Sequence, residues 1–382
     1  MSSTLALLAG EASGDVLGAS LMRAMKAQNP TVEFQGIGGS KMTAAGLQSQ
    51  VEMERLSVMG LFEPMKRLPE LLRIKRDYVN RCIASPPDLF VGIDSPDFNL
   101  RVAAELHRKG VRTAHYVSPS VWAWRQKRVL KIKQSIDLML TLFPFEAAFY
   151  EIHDVPVRFV GHPLADELPL QPNKREFRRE LALTDNSTYV AVLPGSRRGE
   201  SARMMPVFLN SMQWLSERRP DIRYLVPAAN AVIRQSLDEI LKDHALRERI
   251  TVFDGRSQTV MGAADVILLA SGTSTLEAML LKTPMVMAYK VSAATYAIVR
   301  HMVKSEFFAL PNLLAGELLV PEFIQHDAQP DVLGAALLSE LEDESRKNEL
   351  QSRFLDIHHE LRMNASAQAA DALADLMCQH GR

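Results

Sequence analysis

Only two cysteines, Cys82 and Cys378, occur in 382 residues. They form neither a metal-binding spacing nor a disulfide framework, and such sparse use fits a reducing, cytoplasmic setting. No apolar run approaches the roughly 20 residues that a spanning helix needs. The first ten residues carry no basic segment ahead of their apolar stretch, so neither a spanning nor a secreted protein is expected. The dinucleotide fingerprint G-x-G-x-x-G is missing, because the first glycines fall at 10, 14 and 18, and no G-x-x-x-x-G-K-[ST] occurs. A nicotinamide dehydrogenase is thereby disfavoured. There is no Asp-x-Asp and no His/Cys cluster, so neither a metal nor a cofactor is expected. An excess of one charge is also lacking, the formal net charge being −1.

What is present is a long alternation of apolar runs and helical periodicity. The chain exceeds the size at which one core usually stops growing, and its 47% hydrophobic content makes it globular, so two domains are expected. Leu5–Ala9, Val32–Ile37, Asp88–Ile93, Thr113–Val117, Leu138–Leu142 and Val157–Val160 read as strands. Their unbroken apolar character suits parallel strands buried on both faces. The proline-rich stretch from Gly161 to Pro172 reads as a linker, after which the pattern restarts at Tyr189–Leu193 and continues through Arg223–Val226, Ile250–Phe253, Val266–Ala270 and Met285–Tyr289. The expected architecture is α/β, two doubly wound Rossmann-like domains facing each other across a cleft. The expected divisions are 1–165, a linker at 166–187, a second domain at 188–340 and a helical segment at 341–382.

The near-neutral total hides an uneven distribution. Residues 1–165 carry a net +4, concentrated in 66–81 with six basic and two acidic side chains and in 125–133 with five basic and none acidic. Without interleaved aromatics or a nucleic-acid motif, these clusters suit an anionic lipid surface or a phosphorylated substrate, and no nucleic-acid partner is expected. A helix over Met59–Cys82 sets Leu61, Phe62, Met65, Leu68, Leu71 and Leu72 among Lys66, Arg67, Arg73, Lys75 and Arg76. That mixture suits a membrane-facing surface, and an ordinary amphipathic helix packed on a sheet fits it about equally well. Pro64 and Pro69 predict that its first part is irregular.

Four turns fall at strand ends, where open α/β sheets bind ligands. They are Gly10–Asp15, Asp94–Asn99, Pro194–Gly199 and Ser271–Ser274. Ser271-Gly272-Thr273-Ser274 opens directly into a helix, so free N–H groups and the positive helix end suit a phosphate, with Glu277 one turn on for a ribose hydroxyl. The competing reading is that Ser271 or Thr273 simply caps the helix and Glu277 is solvated. Arg197 and Arg198 can neutralise a diphosphate, or be a solvated loop pair. Asp94 and Asp97 are the acid–base candidates; Asp97 also suits a plain N-cap after Pro96, and a purely structural role fits Asp94 less well. His115, His162 and His301 are scattered and read as structural.

The motifs Gly10-Glu-Ala-Ser-Gly-Asp15, Val91-Gly-Ile-Asp-Ser-Pro-Asp-Phe-Asn99, His115-Tyr-Val-Ser-Pro-Ser-Val-Trp-Ala-Trp-Arg-Gln-Lys-Arg128, Leu193-Pro-Gly-Ser-Arg197, Leu269-Ala-Ser-Gly-Thr273 and Leu310-Pro-Asn-Leu-Leu314 together resemble the lipid-A-disaccharide synthase family, in collinear order over nearly the whole chain. The resemblance implies an inverting, metal-independent glycosyltransferase of GT-B architecture. Its donor would be UDP-2,3-diacylglucosamine and its acceptor 2,3-diacylglucosamine 1-phosphate, giving a β-1,6-linked disaccharide 1-phosphate and UDP in lipid A biosynthesis. On that pattern Asp94 is the general base, and Gly195, Ser196, Arg197, Gly272, Thr273, Ser274 and Glu277 hold UDP, with Asn312 near the diphosphate. Glu11, Ser13, Gly14 and Asp97 fall on the acceptor side. Leu61, Phe62, Met65, Lys66, Arg67, Leu68 and Leu72 would face membrane and acyl chains. The resemblance further implies a homodimer, peripheral on the anionic inner-membrane surface. Arg198 with Gly199 departs from the pattern and leaves open an added diphosphate contact or a mere surface charge. The rivals are a UDP-sugar 2-epimerase on the same plan and a non-catalytic nucleotide-sugar-binding membrane module.

Overall fold

In the computed structural model, which describes residues 3–56, 63–300 and 302–378, every β-strand of the first unit runs parallel. The strands are β1 (Thr4–Ala9), β2 (Glu33–Ile37), β3 (Gln48–Ser49), β4 (Leu89–Ile93), β5 (Thr113–Tyr116), β6 (Leu138–Thr141) and β7 (Val157–Phe159), in the spatial order β3-β2-β1-β4-β5-β6-β7. The second unit has β8 (Tyr189–Leu193), β9 (Arg223–Ala228), β10 (Ile250–Asp254), β11 (Val266–Leu269), β12 (Met285–Tyr289) and β13 (Glu322–Ile324), in the order β10-β9-β8-β11-β12-β13. Both are doubly wound Rossmann-like sheets. In each the strand order reverses beside the first strand, between β1 and β4 and between β8 and β11, and that reversal opens the crevice in which such sheets bind ligands.

The chain divides into two compact units, one comprising Met1–Asp166 with Leu361–Arg382 and the other Glu167–Glu360. The continuous apolar runs become strands because helices cover both faces. Leu5, Leu7 and Ala9 join one core cluster and Ala6 and Leu8 the opposite one, so no residue of that stretch meets water. In the second unit Val190, Val192, Val226, Val266 and Leu268 pack against Met204, Phe208 and Met212 of the helix Arg198–Arg218.

Three local differences from the sequence reading have physical causes. The first helix begins at Ala12, so most of the Gly10–Asp15 turn is its first turn. Asp15 is buried there, its carboxylate accepting the backbone N–H groups of Gly39, Lys41 and Met42 at 2.9, 3.0 and 2.9 Å. The segment Glu63–Ala84 is helical through Pro69. An interior proline costs about 3 kcal/mol; burial of Ile74, Tyr78, Val79 and Cys82 further along the same helix opposes that cost. Leu61 and Phe62 lie outside the described residues.

The stretch 166–187 carries the helix Lys174–Glu180, whose buried Arg178 donates to the carbonyls of Ala263 and Asp185 and to Asp265, tying it to the second unit. The final helix, Ala365–Cys378, packs its alanines and Leu373 onto the core beneath the helix Ala12–Gln28. Asp166 caps it, accepting from the backbone N–H groups of Asn364 and Ala365 at 2.8 and 2.6 Å.

Candidate active site

In the first unit the chemistry gathers at the carboxyl ends of β1 and β4. β4 pairs with β1 in parallel as far as Ala9↔Ile93, which brings Gly10 and Asp94 side by side. Asp94 (φ 55°) and Ser95 (φ 41°) are both left-handed, a conformation non-glycine residues adopt at a cost of order 1–3 kcal/mol each. Buried Asn99 holds them there, its side-chain amide donating to the carbonyls of Asp94 at 2.7 Å and of Ile93 and Leu8 at 3.1 Å. The Asp94 backbone N–H donates to the Tyr116 carbonyl at 2.9 Å, extending the β4–β5 ladder. A side chain at Gly10 would meet Ser95 Oγ at 2.7 Å, so only glycine lets β1 run this close to the turn.

The Asp94 carboxylate is thereby fixed from two sides. Ser13 Oγ donates to Oδ2 at 2.6 Å and the Ser95 N–H to Oδ1 at 2.9 Å. Sequence reasoning had no means of assigning Asn99, whose contacts reach across to β1. Beneath the turn lies His115, fully buried, with neither ring nitrogen hydrogen-bonded among the described residues. Burial pulls its pKa down to about 4, against the opposing pull of the Asp94 charge and the Val117 backbone, so the ring is neutral at physiological pH. His162 is also lowered to about 4 by burial and stacks on Phe143. His301 lies outside the described residues.

Asp97 does not cap its helix. It sits in the first turn of Pro96–His107, largely exposed, and pairs with Arg128 at 2.7 Å. Glu11 and Ser13 are exposed and Gly14 is buried at the head of the first helix. Leu68 and Leu72 are exposed apolar residues, 45% and 46% accessible. Arg67 and Arg55 share Glu70, so part of the basic face is neutralised locally. Met65 and Lys66 lie in the same helix.

In the second unit the turns after β8 and β11 line one pocket of about 540 Å³. Gly195, Ser196, Arg197, Gly272, Thr273, Ser274 and Glu277 all line it, so seven of the residues assigned to the nucleotide come together. Arg198 is exposed and is not on that lining. Arg197 is the N-cap of the 21-residue helix Arg198–Arg218, and Gly272 that of Thr273–Leu280, neither with a side-chain cap. Two helix starts thus bring N–H groups that have no intrahelical acceptor to one pocket. Glu277 is half-buried and accepts from Gln258 Nε2 at 3.4 Å; burial raises its pKa, with Gln258 opposing.

Two features of this pocket were not legible beforehand. Glu200 also lines it, and a side chain at Gly195 (φ 110°) would lie 2.4 Å from Glu200 Cγ and Oε2, so the carboxylate is folded against the turn. Burial raises the Glu200 pKa, opposed by the Arg197 guanidinium, the backbone amides of Arg197 and Ser196, and the Tyr289 hydroxyl. The only sequence signal was an acid in the first turn of a helix. Asn312, by contrast, is not on the lining. It is fully buried, its Oδ1 accepting from Val320 N at 2.7 Å and its Nδ2 donating to the Val320 carbonyl and to Glu322.

This pair of strand-end sites coincides with an extended sequence match. The lipid-A-disaccharide synthetase family pattern covers residues 5–374. The lipid-A-disaccharide synthase of Hahella chejuensis is 52% identical over 373 residues, which is 98% of this chain and 94% of that protein. The chain belongs to the lipid-A-disaccharide synthase family. It is accordingly a glycosyltransferase. The family's two-Rossmann plan is shared more widely: the UDP-GlcNAc 2-epimerase of Neisseria meningitidis bound to UDP-GlcNAc matches 98% of this chain and 100% of its own, with a TM-score of 0.65 at 12% identity. The glycotransferase of kitacinnamycin matches 99% and 100%, with a TM-score of 0.65 at 15% identity. These likenesses establish the fold, and membership of the synthase family separates this chain from the epimerases.

Proposed function

We propose that this synthase family member transfers 2,3-diacylglucosamine from UDP-2,3-diacylglucosamine to the 6-hydroxyl of 2,3-diacylglucosamine 1-phosphate, with inversion and without a metal. The observation that carries the mechanism is the Asp94 carboxylate, held at a strained strand end by Ser13, Ser95 and Asn99. As general base it takes the proton from the acceptor hydroxyl while that oxygen attacks the anomeric carbon; the bond to the UDP oxygen breaks and the electron pair leaves with the diphosphate. His115 is fully buried beneath the turn, where its ring meets no acceptor hydroxyl, which leaves the proton to Asp94.

The departing diphosphate carries its new charge into the pocket of the second unit. There Arg197 and the N-termini of two helices stabilise it electrostatically. Glu277 takes a ribose hydroxyl. Both substrates are acylated, and Leu68, Leu72 and the basic residues of the helix Glu63–Ala84 suit them to an anionic membrane surface, on which the enzyme sits peripherally. No described helix is long and apolar enough to cross a membrane. The homodimer remains part of this proposal.

The test is turnover of the two substrates in neutral detergent with EDTA present, following disaccharide and UDP by mass spectrometry. Disaccharide and UDP in equal amounts are expected. UDP binding without disaccharide would overturn the reading in favour of a nucleotide-sugar-binding module, and 2-epimerised donor would favour the epimerase.

A further inference from the structure

Beside the Asp94 turn the first unit has a second concavity, of about 370 Å³, walled by Leu56, Leu68, Leu72 and Phe98 and reached by Ser95 and Arg101. Its lining carries two cations, Lys75 and Arg101, and two acids, Glu11 and Asp97, and the helix Pro96–His107 explains why Arg101 differs from Lys75 and Asp97 in its pairing. On a helix, Arg101 has its natural partners four residues away on either side. Those are Asp97 and Glu105, and both are taken: Asp97 pairs with Arg128 at 2.7 Å and Glu105 with Lys75. Among the described residues the Arg101 side chain makes no hydrogen bond and no ion pair, although it lines the pocket. An exposed guanidinium whose own helix acids are spent elsewhere, set at the polar edge of a leucine-lined hollow, has the form of a site for an amphiphile with an anionic head.

We infer that this pocket binds the acceptor, with Arg101 taking its 1-phosphate and the Leu68/Leu72 wall receiving one acyl chain. The inference rests on the acceptor chemistry proposed above and adds the residue that selects a phosphorylated acceptor. The placement is consistent with the base. Ser95, which donates its N–H to Asp94, lines the same pocket, and Arg101 lies five residues beyond Pro96, or about 7–8 Å along the helix. A hexosamine whose 6-hydroxyl meets Asp94 spans that interval to its anomeric phosphate with the reach of an arginine side chain. Glu11, on the same lining, is then an acceptor for a sugar hydroxyl.

The experiment compares wild type, Arg101→Gln and Arg101→Lys on 2,3-diacylglucosamine 1-phosphate and on the same lipid without its phosphate, in neutral detergent micelles free of anionic lipid. For Arg101→Gln the KM for the phosphorylated acceptor is expected to rise about 10- to 100-fold, the range of one charged hydrogen-bonded contact. Donor KM and the activity on the unphosphorylated acceptor stay unchanged, so the preference between acceptors collapses, and Arg101→Lys recovers part of it. Arg101 is exposed, and a melting curve confirms folding. A variant that keeps the wild-type preference overturns the inference, as does a loss of equal size with both acceptors. Failure of wild type to make disaccharide at all would instead refute the reaction proposed above.

Discussion

Asp94→Asn separates chemistry from architecture more cleanly than any truncation. Asn is among the residues that tolerate the left-handed conformation, so the turn at φ 55° keeps its shape. The backbone ties from Asn99 and to Tyr116 do not involve the side chain and remain. What changes locally are the 2.6 Å bond with Ser13 and the 2.9 Å bond from the Ser95 N–H, both of which exchange a charged partner for a neutral one. Charged hydrogen bonds contribute about 1.5–3 kcal/mol and neutral ones about 0.5–1.5, so at about 1 kcal/mol for each of the two bonds the expected stability loss is about 2 kcal/mol, or roughly 4–8 °C in Tm. The chemical loss is far larger. General-base catalysis is worth about 10²–10⁴ in rate, which is about 2.7–5.5 kcal/mol on the barrier. Initial rates of disaccharide formation at saturating substrates measure kcat, and calorimetry with UDP measures the pocket of the second unit, to which Asp94 does not contribute. The expected result is a kcat reduced at least a hundredfold with UDP affinity intact and melting lowered by no more than those few degrees. A kcat within tenfold of wild type would refute Asp94 as the base, and a collapse in melting would show that the carboxylate is structural.

Gly195→Ala places a methyl group 2.4 Å from Glu200 Cγ at a φ of 110°, so the Pro194–Arg197 turn must shift, at a strain cost of order 1–3 kcal/mol. Calorimetric UDP affinity should fall tenfold or more; an unchanged affinity would remove this turn from the diphosphate site. Glu146, buried in the first turn of the helix Pro144–Ile152, has its pKa pushed up to about 8 by burial, against the opposing pull of the Phe143 backbone, Trp122 and the Leu142 backbone. The folded state therefore holds a proton that the unfolded chain releases above its ordinary value of 4.5, and stability present below that pH is lost as pH rises toward 8. Glu146→Gln carries no charge at either end, so it should melt close to wild type at pH 4.5 and outlast it by about 2–4 kcal/mol at pH 8. An equal gap at both pH values would show that the carboxyl is not buried in its neutral form.

The strands were legible because burial on both faces leaves an unbroken apolar signature. Leu5–Ala9 and Val266–Leu269 needed no partner information to be recognised, and once strands and helices alternate, ligand turns must fall at carboxyl ends. What escaped was decided by contacts distant in sequence. Asp15 sits in a glycine-rich turn that reads as a ligand loop, yet its carboxylate is spent on three amides from residues 39 to 42. Asn312 lies in a motif that points to the diphosphate, yet both ends of its amide serve Val320 and Glu322. Its contribution is to fix the helix Leu310–Ala315 against β13, and Leu310 N in turn donates to Thr275 Oγ1 at 3.2 Å, one turn from the pocket. The final helix reads as a separate acidic-flanked segment; its small-residue face, which only tertiary packing reveals, assigns it to the first unit.

On the function proposed above, the charge inventory of the pocket after β8 and β11 suits both holding UDP and releasing it. Its lining presents one cation, Arg197, and two carboxylates, Glu200 and Glu277. Three fixed charges of that kind would repel a diphosphate if both acids were ionised. Burial raises the pKa of both, and the two uncapped helix starts add positive potential without adding a counter-ion to be displaced. Attraction built from helix ends and a single arginine is moderate by design. A leaving group formed at the end of each turnover must be stabilised in the transition state and then dissociate, and a pocket crowded with lysines would meet the first demand at the expense of the second. Glu200, folded against the Gly195 turn beside Arg197, is the group that tempers this balance.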